Sequence, residues 1–527
     1  MPPARCRKSA SGTVAEQRPE SDWDEYASVC IADGRMSVPA TVCRKHRLER
    51  VRKGGMRMDA SHIKLISAAV IAVLALTTIS AVGFTVDSVD AKQGVMIDFA
   101  YYDVDWVEME FGEGMTGREA LDAACTERGY TVVENDDGSI YSVNGKPQLL
   151  NVSWGMYTLS SDGKWVQVED PDGYVVSEEK IISWARTGTG SEMMPAVDQT
   201  GFTYYSYASQ GRNEIGDKLK IVTLAPSVTE TVCAVGGLDY IVGTDRYSDY
   251  PNALVANQNN GTISIVGGYT DPNFEKVLAE NPDIVFLDGG TGEHVTMADK
   301  FRKAGIQCVV LYNSVTTDDL LKNLWICASA LGFSEKGKEY ISDVSEAVNN
   351  ICRIADLQEK KVFVALGVSD SPYTAGSGTY INTMVESLGA RNIFSGDSSS
   401  WFMVSKEIVY ERQPDIIIII YDTEEITSQR EYRTLLSRFN EMWKETPAYE
   451  NGEVYVFSGD AASLLSRAGA RLPEALELLA KIMDPDSFIA ADPTDTVGVK
   501  YYNDSYNDPE NGYLRYVKAQ GLLEWQE

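Results

Sequence analysis

The chain has 527 residues, of which 44% are hydrophobic, and this length predicts several packed domains instead of one. A formal net charge of -30 at pH 7 excludes a broad basic surface for phosphate groups, so no nucleic-acid partner is expected. His294 is the one histidine after residue 62, which leaves no material for a histidine-based catalytic triad or a His-rich metal site. We therefore predict that the protein is not an enzyme and holds no resident metal or cofactor.

The first 55 residues have mixed charge and no sustained hydrophobic period. We interpret residues 1–55 as a disordered cytoplasmic tail or as an extension that the native protein lacks. In the second case Met56 or Met58 would begin the native chain.

An almost uncharged apolar run, Leu65–Val86, is long enough to cross a bilayer as a helix. The segment before it is basic and the segment after it is acidic, which places the bulk of the protein outside the cytoplasm. The run is therefore a signal peptide or a transmembrane anchor. No convincing cleavage site follows, so an uncleaved anchor is favoured over a secreted product.

Residues 90–205 have the pattern of a small α+β domain. Ala120, Leu121 and Ala124 form the apolar face of a predicted helix. Turn signals follow at Asp136-Asp-Gly138, Asn144-Gly145 and Ser161-Asp-Gly163, and they predict hairpins. Four aromatic residues are expected either in hairpin packing or in a patch that faces a ligand or partner: Tyr141, Trp154, Tyr157 and Trp165. The residues from 187 to 217 lack a period and predict a linker or a surface wrap.

The next part of the chain begins with a buried strand at Ile221, followed by Ser227 and Glu230 with the spacing of a helix capping box. Strands then alternate with helices, for example over 295–304 and 317–331. This alternation predicts a parallel sheet that is covered by helices on both faces.

A long helix is predicted over 335–360, because Ile341, Val344, Val348 and Ile351 recur at intervals of three and four residues. A second alternation of strands and helices follows it. The predicted fold class is α/β, with two lobes that contain parallel sheets and are joined by this helix, plus a small α+β accessory domain and an N-terminal membrane segment. The predicted boundaries are tail 1–55, membrane segment 64–86, accessory domain 90–205, first lobe 218–334, linker helix 335–360, second lobe 361–484 and C-terminal tail 485–527.

Three segments of the first lobe carry a family resemblance: IVTLAPSVTE from Ile221, YIVGTDRYSDYP from Tyr240 and GGYTDPNFEKVLAENPDIVFLD ending at Asp288. They resemble the substrate-binding proteins of ABC importers that capture cobalamin, haem and iron-siderophore complexes, and the cobalamin-binding members are the most similar. The helix opening and VNGK turn of residues 90–205 are weakly similar to the β-grasp-like domain of transcobalamins. The first resemblance implies two lobes on one stiff helix, with a ligand cleft between them.

The resemblance also implies site residues. Positions that match the corrin pocket of cobalamin binders, or lie nearest to its missing tryptophans, are Tyr247, Tyr269, Asp288, Tyr373, Trp401, Asp460 and Arg467. Flat aromatic faces suit a macrocycle, and a carboxylate and a guanidinium suit its amide fringe. A single axial bond from His294 to haem iron or cobalt is a further alternative.

Glu275 and Glu407 occupy equivalent places in the two lobes, each at the start of a short helix before a Pro-Asp and a buried strand. In the resembled family such a pair forms salt bridges with arginines on the two permease subunits. The implied function is the extracytoplasmic substrate-binding component of an ABC importer, which delivers cobalamin or a related corrinoid to a membrane permease dimer. Alternatives are a haem or ferric-siderophore binding protein of the same family, and a surface scaffold or adhesion protein on this fold.

Overall fold

A computed structural model describes residues 93–161, 163–188, 193–202, 219–397, 399–421, 429–484, 487 and 516–518. The predicted tail 1–55, the membrane segment 64–86 and nearly all of the tail 485–527 lie outside these residues. Within the described part of the chain, no helix combines the length and apolar character needed to cross a bilayer.

In its described residues, the accessory domain has one helix and two small sheets. In chain order its elements are β1 (Gly94–Asp98), β2 (Val104–Glu108), α1 (Gly117–Arg128), β3 (Val132–Glu134), β4 (Ile140–Val143), β5 (Lys146–Pro147), β6 (Val152–Leu159), β7 (Trp165–Val168) and β8 (Ile181–Gly188). The larger sheet has the order β2-β1-β8-β6-β7, in which only β1 and β8 are parallel neighbours. The smaller sheet has the order β3-β4-β5, so the hairpins predicted at the turn signals are present.

The first lobe is a parallel sheet between helices, as the alternation predicts. Its elements are β9 (Ile221–Thr223), α2 (Pro226–Ala234), β10 (Ile241–Thr244), α3 (Asn252–Asn259), β11 (Ser264–Ile265), α4 (Phe274–Ala279), β12 (Ile284–Asp288), α5 (Gly292–Lys303), β13 (Gln307–Leu311) and α6 (Thr317–Leu331). The strand order is β11-β10-β9-β12-β13, and all neighbours are parallel.

The capping box predicted for Ser227 and Glu230 is wrong. Helix α2 begins at Pro226 with Ala225 as its N-cap and without a side-chain cap. Proline fits the first turn because it has no N–H to satisfy. This start places Glu230 inside the helix, where its carboxylate pairs with arginines of the second lobe.

A single helix, α7 (Ser334–Ile354), joins the lobes. Its predicted apolar residues, Ile341, Val344, Val348 and Ile351, are buried as expected. The predicted end at residue 360 is six residues too late. The backbone becomes extended at Ala355, and the next N–H, of Asp356, donates to Asp484 Oδ2 at 2.9 Å.

The second lobe contains a mixed sheet. Its elements are β14 (Lys361–Leu366), β15 (Tyr373–Ala375), α8 (Tyr380–Ser387), β16 (Arg391–Asn392), β17 (Trp401–Met403), α9 (Lys406–Arg412), β18 (Ile416–Tyr421), α10 (Gln429–Trp443), α11 (Pro447–Glu450), β19 (Val454–Ser458), α12 (Asp460–Ser466), α13 (Leu472–Met483) and β20 (Tyr516–Lys518). The order is β17-β15-β14-β18-β19-β20, with β16 beside β14.

The prediction of a parallel second sheet holds for β14, β16, β18 and β19 and is wrong towards the edges, where β15 pairs antiparallel with β14, β17 with β15 and β20 with β19. Residues 367–372 are too few for the crossover that parallel strands need, so the chain returns as a hairpin.

The accessory domain packs against the first lobe. Trp106 of β2 stacks on Trp325 of α6 with ring centroids 6.3 Å apart, and Lys338 Nζ lies 3.7 Å from Asp105 Oδ1. Residues 193–202, which we call the strap, continue from the accessory domain along the edge strand β13. The strap belongs to the range 187–217, which is predicted as a linker or a surface wrap. It is a docked segment, with Ala196, Val197 and Asp198 buried.

Candidate ligand cleft between the two lobes

A cleft of about 1230 Å³ separates the lobes at the carboxyl ends of the central strands. The first lobe lines it with the start of α2 and with the loops after β10, β12 and β13. The second lobe contributes the start of α8, Trp401 of β17, and the segment from Gly459 to Glu474. This edge of an α/β sheet is where ligands usually bind, because several loops converge there.

Two aromatic side chains face the cleft from opposite lobes. Tyr247 follows β10 and is 54% exposed, and Trp401 begins β17 and is 51% exposed. Aromatic rings that remain half exposed at the mouth of a cleft offer apolar faces to a ligand, because protein packing has not used them. Both residues were predicted to line the ligand site, and both lie in the cleft.

Tyr269 and Asp288 also line the cleft, where they form a hydrogen-bonded wall. The Tyr269 hydroxyl donates to Asp288 Oδ2 at 2.7 Å, and the Thr291 hydroxyl donates to the same oxygen at 3.1 Å. Burial, together with the charge of Asp288, raises the pKa of Tyr269. The phenol therefore stays protonated and serves as a donor.

His294 supports this wall from behind. Its Nδ1 accepts from the Asp288 N–H at 3.1 Å, and its Nε2 lies 2.7 Å from the Tyr269 carbonyl oxygen. Burial lowers the pKa of His294, which keeps the ring neutral, with Nε2 as donor. Because both ring nitrogens are engaged, the axial-ligand alternative for His294 is not supported by this geometry.

Asp460 and Arg467 lie at the floor of the cleft, where they take part in an ion network between the lobes. Arg467 donates to Glu230 Oε1 at 3.1 Å and to Asp249 Oδ2 at 3.1 Å, and both acceptors belong to the first lobe. Arg471 donates to both oxygens of Glu230 at 3.1 Å and to Asp460 Oδ1 at 3.0 Å. Of the predicted pair, Arg467 therefore binds the lobes together, and Asp460 holds Arg471 from within the second lobe.

Sequence reasoning missed Glu230 and Arg471 as members of this floor. Glu230 is 4% exposed, and its negative charge is balanced by two guanidinium groups from the second lobe. Arg471 also lies over the Tyr250 ring, with its guanidinium carbon 4.0 Å from the ring centroid. Burial raises the pKa of Asp460 and of Glu474 beside it.

Tyr373 does not line the cleft, contrary to the prediction. It is 52% exposed and pairs with Met403 across the ribbon of β15 and β17. Since Met403 lies two residues from Trp401 on the same strand, these side chains share one face of the ribbon. Tyr373 is thus next to the cleft wall and outside the cavity.

Glu275 and Glu407 have matching surroundings in the two lobes. Each is exposed and is the second residue of a short helix, α4 or α9. A hydrogen bond with Ser405 lowers the pKa of the fully exposed Glu407 carboxyl. Both carboxylates are available to a partner at the protein surface, and their docking role stays a prediction.

The comparison with known proteins agrees with this architecture. Residues 221–461 match the family model described as periplasmic binding protein. An uncharacterized ABC transporter substrate-binding lipoprotein of Bacillus subtilis is 26% identical over 274 residues, which cover 51% of this chain and 81% of that protein. The resemblance predicted from the sequence is confirmed for this part of the chain.

A vitamin B12-binding protein of Yersinia pestis is 29% identical over 203 residues, or 38% of this chain and 69% of that protein. Among solved structures, the periplasmic vitamin B12 binding protein of Vibrio cholerae is 23% identical and covers 50% of this chain and 96% of its own length, with a TM-score of 0.43. The two sequence relatives are named as binding proteins and not as enzymes, as we predict for this chain.

Proposed function

We propose that the protein is the extracytoplasmic substrate-binding component of an ABC importer and that it captures cobalamin or a related corrinoid. The observation that carries this proposal is the cleft of about 1230 Å³ with Tyr247 and Trp401 half exposed on opposite walls. This volume exceeds the roughly 300–1,000 Å³ of usual small-molecule pockets. A large ligand with a broad apolar face fits such a space better than a small metabolite does.

The charge of the lining favours a corrinoid over an anionic chelate. Among the residues that the structure describes, three arginines and four carboxylates line the cleft: Arg246, Arg467, Arg471, Asp249, Asp288, Asp460 and Glu474. Arg467 and Arg471 are already paired with carboxylates, and Arg246 donates to Asp271 at 2.8 Å. An anionic siderophore or the propionates of haem would need cations that these pairs already use.

Neutral polar groups complete the lining and suit the amide fringe of a corrinoid. Asn252 and Asn313 lie in the cleft wall, together with Ser227 and Ser314. Amide and hydroxyl groups both donate and accept hydrogen bonds, as the primary amides of a corrin ring do. The cleft therefore offers the aromatic rings of Tyr247 and Trp401 to a ligand, together with neutral polar groups.

The ligand assignment is tested by titrating the full-length protein with cyanocobalamin, haemin and a ferric siderophore while tryptophan fluorescence is followed. We expect saturable quenching by cyanocobalamin alone. A response to haemin or the siderophore alone would keep the binding role and change the ligand. Silence with all three would contradict the importer proposal and favour the scaffold or adhesion alternative.

Delivery to the membrane forms the second half of the proposal. Glu275 and Glu407 would dock on the two subunits of a permease dimer, one from each lobe, because they occupy equivalent exposed helix starts. Charge pairs of this kind orient a transient complex more than they strengthen it. The segment 64–86 would hold the protein at the outer face of the membrane.

A further inference from the structure

The strap is held at its first end by the accessory domain. The Met194 N–H donates to Asp98 Oδ2 at the end of β1, at 3.1 Å. The indole of Trp165 on β7 donates to the Met194 carbonyl oxygen at 3.0 Å. The strap therefore begins as part of the accessory domain.

The second end of the strap is fixed to the first lobe by a buried ion pair. The Asp198 side chain is 0% exposed and accepts from Arg302 at 2.9 Å and from the Val310 N–H at 3.0 Å. The Gln199 N–H continues the ladder by donating to the Val310 carbonyl oxygen at 3.0 Å. Separating a buried pair of this kind is costly, because each charge would lose its partner.

Gln199 then braces two loops of the cleft wall with its side chain. Nε2 donates to the Gly289 carbonyl oxygen at 2.7 Å, and Oε1 accepts from the Asn313 N–H at 2.8 Å. The amide lies so close to Gly289 that a Cβ there would come within 2.2 Å of Oε1. The loops after β12 and β13 are thereby linked by one side chain from outside the lobe.

These loops carry cleft residues. Gly290 and Asn313 line the cleft, and the Gly290 N–H donates to Asp288 Oδ1 at 3.0 Å. The other oxygen of Asp288 accepts from Tyr269. A chain of hydrogen bonds thus runs from the strap to the wall that would contact a ligand.

We propose that Gln199 is a positioning residue of the ligand cleft, through which the accessory domain sets the geometry of the Asp288 and Asn313 loops. This inference rests on the proposed binding function. It makes ligand affinity a property of the accessory domain and the lobes together. Free lobes that lacked the strap would bind more weakly, because the wall would have to be ordered by the ligand itself.

The test uses Gln199→Glu and Gln199→Leu in the full-length protein, with the dissociation constant for cyanocobalamin measured at pH 7 and pH 4. At pH 7 we expect both variants to bind about fivefold more weakly than the wild type, the loss that one or two hydrogen bonds imply. A protonated carboxyl can donate to Gly289 and accept from Asn313 as the amide does. At pH 4 the deficit of Gln199→Glu relative to wild type should therefore shrink, while that of Gln199→Leu persists.

A merely packed side chain would not give this pH-dependent recovery. Gln148→Glu, in the accessory domain, is the matched control and should bind as the wild type does at both pH values. Wild-type affinity in both Gln199 variants at pH 7, or an equal deficit for Gln199→Glu at both pH values, would overturn the inference.

A second measurement separates this inference from the ligand assignment. Amide hydrogen exchange at Asn313, followed without ligand, should be faster in Gln199→Leu than in the wild type, because that N–H loses its acceptor. Unchanged exchange at Asn313 would contradict the positioning role whatever the ligand is. If wild-type protein binds none of the tested ligands and exchange is still faster in the variant, the binding proposal fails and the positioning role stands.

Discussion

We expect Trp401 to contribute strongly to ligand affinity and little to the stability of the fold. It is 51% exposed in the cleft, so removing its ring leaves the protein core unchanged. Covering such a side chain with ligand is worth about 1.5–3 kcal/mol, and we expect Trp401→Ala to weaken cyanocobalamin binding roughly ten- to a hundredfold. Isothermal titration calorimetry measures this loss directly.

Tyr141→Ala is the control for Trp401→Ala, because Tyr141 is 42% exposed on the accessory domain. It should leave the affinity unchanged. Equal affinities of the wild type and Trp401→Ala for cyanocobalamin would show that the Trp401 ring is not part of the ligand site.

Glu230 has a structural role that an exposed residue of a helix capping box would not have. Its carboxylate is buried and balances Arg467 and Arg471 across the floor of the cleft. Glu230→Gln removes the charge and leaves both guanidinium groups short of a partner, so we expect the free energy of unfolding to fall by about 3–5 kcal/mol. Urea unfolding monitored by tryptophan fluorescence gives this value.

Glu386→Gln, an exposed substitution near the end of α8, should change the free energy of unfolding by less than about 0.5 kcal/mol. If Glu230→Gln also lowers the free energy of unfolding by less than about 0.5 kcal/mol, the inter-lobe network adds nothing to stability.

At the level of elements, the sequence predicts the ends of helices correctly where neighbouring residues determine those ends. Helix α6 has its predicted bounds, because Thr316 and Asp319 form a capping box at its start and Gly332 adopts a left-handed φ of 74° at its end. Helix α7 ends earlier than its period predicts, since its end is set by a contact with Asp484, far along the chain. The capping box at Ser227 is wrong because Pro226 starts the helix one residue earlier, and the partner that Glu230 takes instead, Arg471, is 241 residues away.

The candidate site divides in the same way. Loops at strand ends can be aligned by motif, and six of the seven predicted ligand residues lie in the cleft. Tyr373 lies outside it because it pairs with Met403, two residues further along the antiparallel ribbon of β15 and β17 than Trp401, and no local sequence pattern predicts this ribbon. The sequence does not predict that the strap takes part in the site, because its Gly-, Ser- and Tyr-rich surroundings have the composition of a linker.

The end of β1 should give stability a pH dependence. Asp98 is buried beside the strap, and burial raises its pKa from 3.8 to about 6. The native state therefore holds this proton more tightly than the unfolded chain does, and the stabilisation is complete below about pH 3.8 and is lost as pH rises through about 6. The difference corresponds to roughly 3 kcal/mol.

Urea unfolding at several pH values between about 4.5 and 7.5 measures this slope. Asp98→Asn cannot titrate, so its free energy of unfolding should fall less steeply with rising pH than that of the wild type. Asp239→Asn, at an exposed position, should keep the wild-type slope. Parallel curves for the wild type and Asp98→Asn would exclude Asp98 as the titrating group.

On the scale of the whole molecule, the two lobes are joined by helix α7 and by the ion network at the floor of the cleft. Helix α7 has 21 residues, the Asp356 N–H bonds to Asp484, and the ion network crosses the floor of the cleft. Stiff lobes would keep Glu275 and Glu407 at a constant separation, as two simultaneous contacts with a permease dimer would require. Each charge should then contribute one of the two contacts, and docking should be independent of ligand capture.

We expect the double charge reversal Glu275→Arg with Glu407→Arg to lower uptake of labelled cobalamin by more than about tenfold, because like charges would meet at both contacts. Each single reversal should have a smaller effect. Ligand affinity and the free energy of unfolding should stay at wild-type values, since both glutamates are exposed and outside the cleft. Uptake is measured in cells that carry the cognate permease, and affinity is measured on the purified variants.

Glu386→Arg adds the same charge change at an exposed helix position and should leave uptake intact. If the double variant loses ligand affinity in proportion to uptake, then these glutamates act on the cleft and not on docking. If uptake is unchanged, the permease contact lies elsewhere on the two lobes or on the accessory domain. Retained affinity with lost uptake would assign capture to the cleft and delivery to the paired helix starts, so that one rigid frame serves both steps.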